Sequence, residues 1–179
     1  YHGRMNLAWI GLLSSAPITA LMAGSITVAC RSILAAGGSL VVPATSTLLA
    51  SPALISDLFS ANAASATLPY GDAPDAPGFH IMDVPTDDEL DILGGLGATG
   101  VEAIVACVER HPAQAHPFIP LIQVSESEGE DLDLTLQPGR EPIQNAADVL
   151  KLIGKSISGE YVPKMLQKGL TAFQLSRGR

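Results

Sequence analysis

The chain has 179 residues, 47% of them hydrophobic but only 4% aromatic, with 18 Asp and Glu against 10 Lys and Arg, a net charge of -8. That length supplies a core for a single domain over 1–179, and the abundance of small aliphatic residues excludes disorder as the dominant state. Acids gathered around 86–91 and 126–133 exclude a nucleic-acid surface, which needs clustered Lys or Arg.

From Met5 to Cys30 there is no charged residue. The length raises a membrane span, but Asn6, Ser14, Ser15, Pro17 and Thr19 break the stretch, so a buried strand (Leu7–Leu13), a turn and a helix are preferred and no membrane partner is expected. A secretory leader fits less well, because Arg31 directly follows Cys30. The helix is expected to start after Ser14 or Ser15 with Pro17 in its first turn, and to end at Gly37-Gly38. Ser39–Thr45 reads as an interior strand with a polar exit, Thr45-Ser46-Thr47, and a helix over about Pro52–Asn62 follows with Ser51 as cap. Residues Ala63–Pro77 read as a loop.

Phe79–Met82 is a short apolar run between Pro77-Gly78 and Pro85, a buried strand that delivers Asp83 to its carboxyl edge. In open parallel sheets that edge is where ligands bind. Asp83 therefore has two readings, a site acid or a turn aspartate serving the helix start at Thr86-Asp87-Asp88-Glu89, where Thr86 and Glu89 have capping-box spacing. That helix is expected to stop in the glycines of Gly94–Gly100, and Val101–Val108 reads as a further apolar strand. Its exit carries Arg110, His111 and His116: a guanidinium suited to a carboxylate and imidazoles suited to proton transfer, or a plain pair of His-Pro turns. Prolines there break any helical metal-ligand spacing.

Phe118–Val124 reads as a strand, Ser125–Asp133 as a solvated acidic excursion, and Leu132, Leu134 and Leu136 as a half-exposed strand. A helix is expected over Asp148–Ser158 with Asn145 as cap, a shorter one near Tyr161–Gln167, and a last strand over 170–175. Cys30 and Cys107 sit in apolar runs without a CxxC spacing, which predicts buried reduced thiols and suits a cytoplasmic chain. Repeated strand-then-helix units predict an α/β class: a Rossmann-like, mostly parallel sheet with helices on both faces.

Several landmarks together resemble the altronate and galactarate dehydratase family, in the C-terminal region of its catalytic portion. They are the Gly11–Ala20 segment before a small-residue helix, the Gly37-Gly38-Ser39 strand entry, and Gly78-Phe-His-Ile-Met-Asp-Val-Pro85 in place of a Gly-Leu-x-x-Met-Asp-x-Pro element. An Arg-containing turn at Arg110, Pro117–Val124 and a terminal Phe-Gln-Leu-Ser-Arg-Gly complete the series. The resemblance implies a hydro-lyase that removes water from an acidic sugar to give a 2-keto-3-deoxy acid, commonly with a divalent metal. On this chain it implies Asp83 as a catalytic group and Arg110 and Thr19 as substrate-binding ones, and His111, at the same strand exit as Arg110, is the expected second catalytic group as a proton carrier. It also implies a homo-oligomer and an upstream domain or subunit, the chain opening at Tyr1 as a C-terminal piece of a larger protein.

Where the family pattern has Gly-Ser-Asp this chain has Gly11-Leu12-Leu13, and where it has Glu-Thr-Pro-Glu this chain has Ala44-Thr45-Ser46-Thr47. A second expectation follows: a structural or regulatory domain that kept the fold without the catalytic acids.

Overall fold

A computed structural model describes residues 8–61, 66–110 and 113–169. In chain order the elements are β1 (Trp9–Ser14), α1 (Ala20–Ala35), β2 (Ser39–Pro43), a 3-10 turn (Thr47–Ala50), α2 (Pro52–Ala61), β3 (Ala66–Leu68) and β4 (Phe79–Met82). There follow α3 (Glu89–Ala98), β5 (Ala103–Cys107), β6 (Leu121–Ser125), β7 (Leu134–Thr135), α4 (Pro142–Ile157) and α5 (Lys164–Gln167). The strands form one sheet in the order β3-β4-β2-β1-β5-β6-β7, and every pairing is parallel. This is the expected Rossmann-like α/β architecture.

The strands are apolar on both sides because both sides are covered. Ile10, Leu12, Leu40, Val42, Val105 and Ile122 face one core with α1, α2 and α4, while Leu13, Val41, Ile104, Ala106 and Leu121 face another with α3. Each fully buried Leu or Ile contributes about 1.5–3 kcal/mol, so two cores of this size hold the sheet from either face. Cys30 and Cys107 are buried free thiols in the first core.

Several boundaries move, each for a local reason. α1 begins at Ala20, since Thr19 is its N-cap and accepts from Met22 N at 3.1 Å; Pro17 lies in the loop before it instead of in a first turn. α3 is capped by Asp88, whose carboxylate accepts from Leu90 N and Asp91 N, and Thr86 instead accepts from Asp88 N. That helix runs through Gly94, Gly95 and Gly97, because the glycines are close-packing positions. A Cβ on Gly95 would lie 2.4 Å from Tyr70 Cε2, and one on Gly97 would lie 2.8 Å from His116 Nε2.

The expected loop contains the edge strand β3, which β4 pairs on its outer side. α4 begins at Pro142, six residues before the expected start, with Gln144 Oε1 accepting from Glu141 N at 3.2 Å. Asn145 is not its cap: the side chain bridges to Gln137, accepting from its N and donating to its O at 3.1 Å each. Pro142 fills the first-turn position where a missing N–H goes unmissed. The strand expected over 170–175, and the residues before 8, lie outside the described residues. No helix among the described residues is long and apolar enough to cross a membrane.

The far end of the chain is fastened by one carboxylate. Asp133 Oδ1 accepts from the Tyr161 hydroxyl at 2.6 Å and from Lys164 N at 2.8 Å, and its Oδ2 accepts from Gln123 N at 2.8 Å, joining α5 to β6. Burial first, then the bond to Asp133 and its charge, push the Tyr161 phenol up from its usual value. A raised phenol favours the neutral form in the folded state. Its contribution is therefore complete below the unfolded value of about 10 and is lost as pH rises through the folded one.

Two outcomes follow from this packing. Gly95→Ala should destabilise by about 1–3 kcal/mol through overpacking against Tyr70, whereas Gly154→Ala, on α4 with nothing within 4 Å, should stabilise by about 0.5–1 kcal/mol; urea unfolding of both variants reads the opposite signs. Tyr161→Phe should cost about 1 kcal/mol near neutral pH and flatten the loss of stability that the parent chain shows above about pH 10, measured by denaturant unfolding as a function of pH.

Candidate functional site

From β1 the chain moves outward to β2 and the β4/β3 edge, then returns to the other side of β1 with β5, β6 and β7. The order reverses between β1 and β5, and loops leaving adjacent strands there diverge and open a crevice. Two clefts lie at this point. The first, about 270 Å³, is lined by Ser14, Ser15, Thr45, Thr47, Asp87 and Glu89 over an apolar floor that includes Leu13, Ile92 and Ala106. The second, about 220 Å³, is lined by Thr19, Glu109, Ser125, Glu126 and Ser127. Cys107 and Val108, at the end of β5, line both.

The wall of the first cleft is a hydroxyl latch between the exits of β1 and β2. Thr47 Oγ1 donates to Ala16 O at 2.6 Å and lies 2.9 Å from Ser14 Oγ, while Ser46 Oγ accepts from Ser14 N at 3.1 Å. Ser14 and Ser46 are buried, and such groups are costly to leave unpaired. On the opposite wall Asp87 and Glu89 come from the start of α3, and Glu89 Oε1 accepts from Gln114 N at 2.7 Å. In the second cleft the Thr19 hydroxyl donates to the Glu126 carboxylate, and Ser125 Oγ donates to Glu109 O at 2.5 Å. Among the described residues no Lys or Arg lines either cleft.

Of the residues singled out from sequence, Thr19 stands in the second cleft and is also the cap of α1. Asp83 follows β4 and Arg110 follows β5, so both are on the carboxyl rim of the sheet, but three strand spacings separate those corners, about 14 Å. Both side chains are exposed, and neither lines either cleft. The rim is shared, but neither of these two clefts brings Asp83 and Arg110 together. His111 lies outside the described residues. His116 is buried, its Nδ1 accepting from Phe118 N at 3.1 Å and Ile119 N at 3.0 Å, and burial lowers its pKa. It is a neutral imidazole that shapes the turn before β6.

The residues that do line the clefts carried a weaker signal. Thr45-Ser46-Thr47 reads in sequence only as a polar strand exit, and Asp87 and Glu89 only as helix-start acids; being next after a strand is the feature that connects them. Cys107 reaches both clefts, but burial pushes its thiol up to about 12, so it stays protonated and is a poor nucleophile.

A divalent metal does not fit these residues by themselves. Among the described residues no three His, Cys, Asp or Glu side chains come together as a metal site. Asp87 and Glu89 are two carboxylates, one engaged by Gln114 N, where a hard cation takes about six oxygen ligands.

The latch is testable directly. Thr47→Val keeps the shape and removes the 2.6 Å donor to Ala16 O, leaving it only the 3.3 Å bond from Ser14 Oγ, and should cost about 0.5–1.5 kcal/mol in thermal or urea unfolding.

The chain matches no protein-family model and no curated protein significantly, so the chemistry of the clefts stands on their own residues.

Proposed function

We propose that this chain is a divergent domain of the altronate and galactarate dehydratase kind whose working site is the first cleft, where it holds a small polyhydroxylated compound without eliminating water from it. The observation that carries the reading is the set of hydroxyls on Ser15, Thr45 and Thr47 facing the carboxylates of Asp87 and Glu89 at the point where strand order reverses. Hydroxyls and carboxylates in this mixture are the partners a polyol needs, since each ligand O–H can donate to a carboxylate and accept from a serine or threonine. The cleft is near the lower end of the ~300–1,000 Å³ range of small-molecule sites, which suits a short unbranched skeleton.

Elimination beside a carboxylate asks for more. A base must take the proton, and the charge that develops on the substrate carboxylate needs a cation or a preorganised set of donors. Asp87 or Glu89 has the character of the base. For the second task the lining offers neutral hydroxyls beside two negative charges, which oppose the developing charge.

The second reading is turnover of an acidic sugar with Arg110 holding its carboxylate, Thr19 binding, and Asp83 and His111 handling protons. The position of Arg110 three residues after Cys107, which lines both clefts, favours it.

The two readings separate in one assay. Incubated with altronate, galactarate and related hexarates, with and without Mg2+, Mn2+ or Fe2+, the purified chain should release no 2-keto-3-deoxy acid. Release that is abolished in Arg110→Ala and preserved in Asp87→Asn would establish the second reading instead.

A further inference from the structure

We infer that the compound held in the first cleft carries a positive charge on its hydroxylated skeleton, an amino polyol or amino sugar in place of a sugar acid. This rests on the reading of that cleft as the binding site given above.

Asp87 and Glu89 border the first cleft and Glu109 and Glu126 the second, and the two clefts adjoin through Cys107 and Val108. Arg140 pairs with Asp148 and Lys168 with Asp131, neither at the clefts, and among the described residues no Lys or Arg forms an ion pair with any of these four carboxylates. The positive ends of the nearby helices are already covered: Asp88 caps α3, and the Thr19 cap of α1 is joined to the Glu126 carboxylate.

Beneath Asp87 and Glu89 the floor is apolar, with Leu13, Ile92 and Ala106, and a weakly polarisable surface strengthens the field that a bound ligand meets. The same field repels a carboxylate and attracts an ammonium group. Thr45 and Ser15 then offer hydroxyls to the skeleton, while Thr47, whose proton is held by Ala16 O, can only accept, and the net charge of -8 gives a cationic ligand a favourable approach.

Calorimetric titration of the intact chain with three compounds on one six-carbon skeleton tests this: 1-amino-1-deoxysorbitol, sorbitol and gluconate. The amine should bind at least about tenfold more tightly than sorbitol, and gluconate more weakly than either, with the advantage of the amine shrinking as salt is raised through physiological strength. Asp87→Asn combined with Glu89→Gln, the glutamine keeping the acceptor for Gln114 N, should bring the amine to about the affinity of sorbitol. Gluconate binding as tightly as the amine, or an amine affinity indifferent to salt, would overturn the charge assignment while leaving the cleft as a site. Binding by none of the three would overturn the cleft reading itself.

Discussion

Everything at the carboxyl rim depends on β1 being paired on both sides. Its register with β2 on one side and β5 on the other fixes where the chain may leave the sheet, and the exits of β1 and β2 are then tied by the Ser14, Ser46 and Thr47 hydroxyls. Because β1 is apolar on both faces, a slip by one residue would exchange the side chains offered to the two cores. The latch is thus built on a strand that has little freedom to move, and both clefts inherit that rigidity.

The two faces of the sheet are packed by different means. α1 and α4 lie together on one face, with Gly24 close enough that an added Cβ would touch Pro142. On the other face α3 gains closeness from glycines, seating Tyr70 at Gly95 and His116 at Gly97. A helix with this many glycines forgoes intrinsic stability for proximity. The gain is that Asp87 and Glu89, at its start, are held against the exits of β1 and β5. Packing on the far side of α3 therefore bears on the chemistry of the cleft.

The resemblance to sugar-acid dehydratases and the charge of the clefts pull in different directions. Among the described residues the lining carries Asp and Glu and no Lys or Arg, and a carboxylate ligand would meet repulsion there. A fold can keep its site position while the ligand chemistry at that position changes.

Sequence by itself determined the α/β class, the parallel sheet, the buried thiols and most element centres, since continuous apolar runs bounded by Gly and Pro carry that information locally. It also identified the strand exits as the places to look. It did not reveal β3, whose three residues form a strand only because β4 offers an edge. Nor did it separate Thr86 from Asp88, or Asn145 from Glu141, as caps, because several residues of the right type stand within one turn of each helix start. Above all, their places at the exits of successive strands made Asp83 and Arg110 conspicuous, while the order of strands in space set them three spacings apart and brought Thr45, Thr47, Asp87 and Glu89 together. Strand order is a long-range property of packing, and only the tertiary structure decides it.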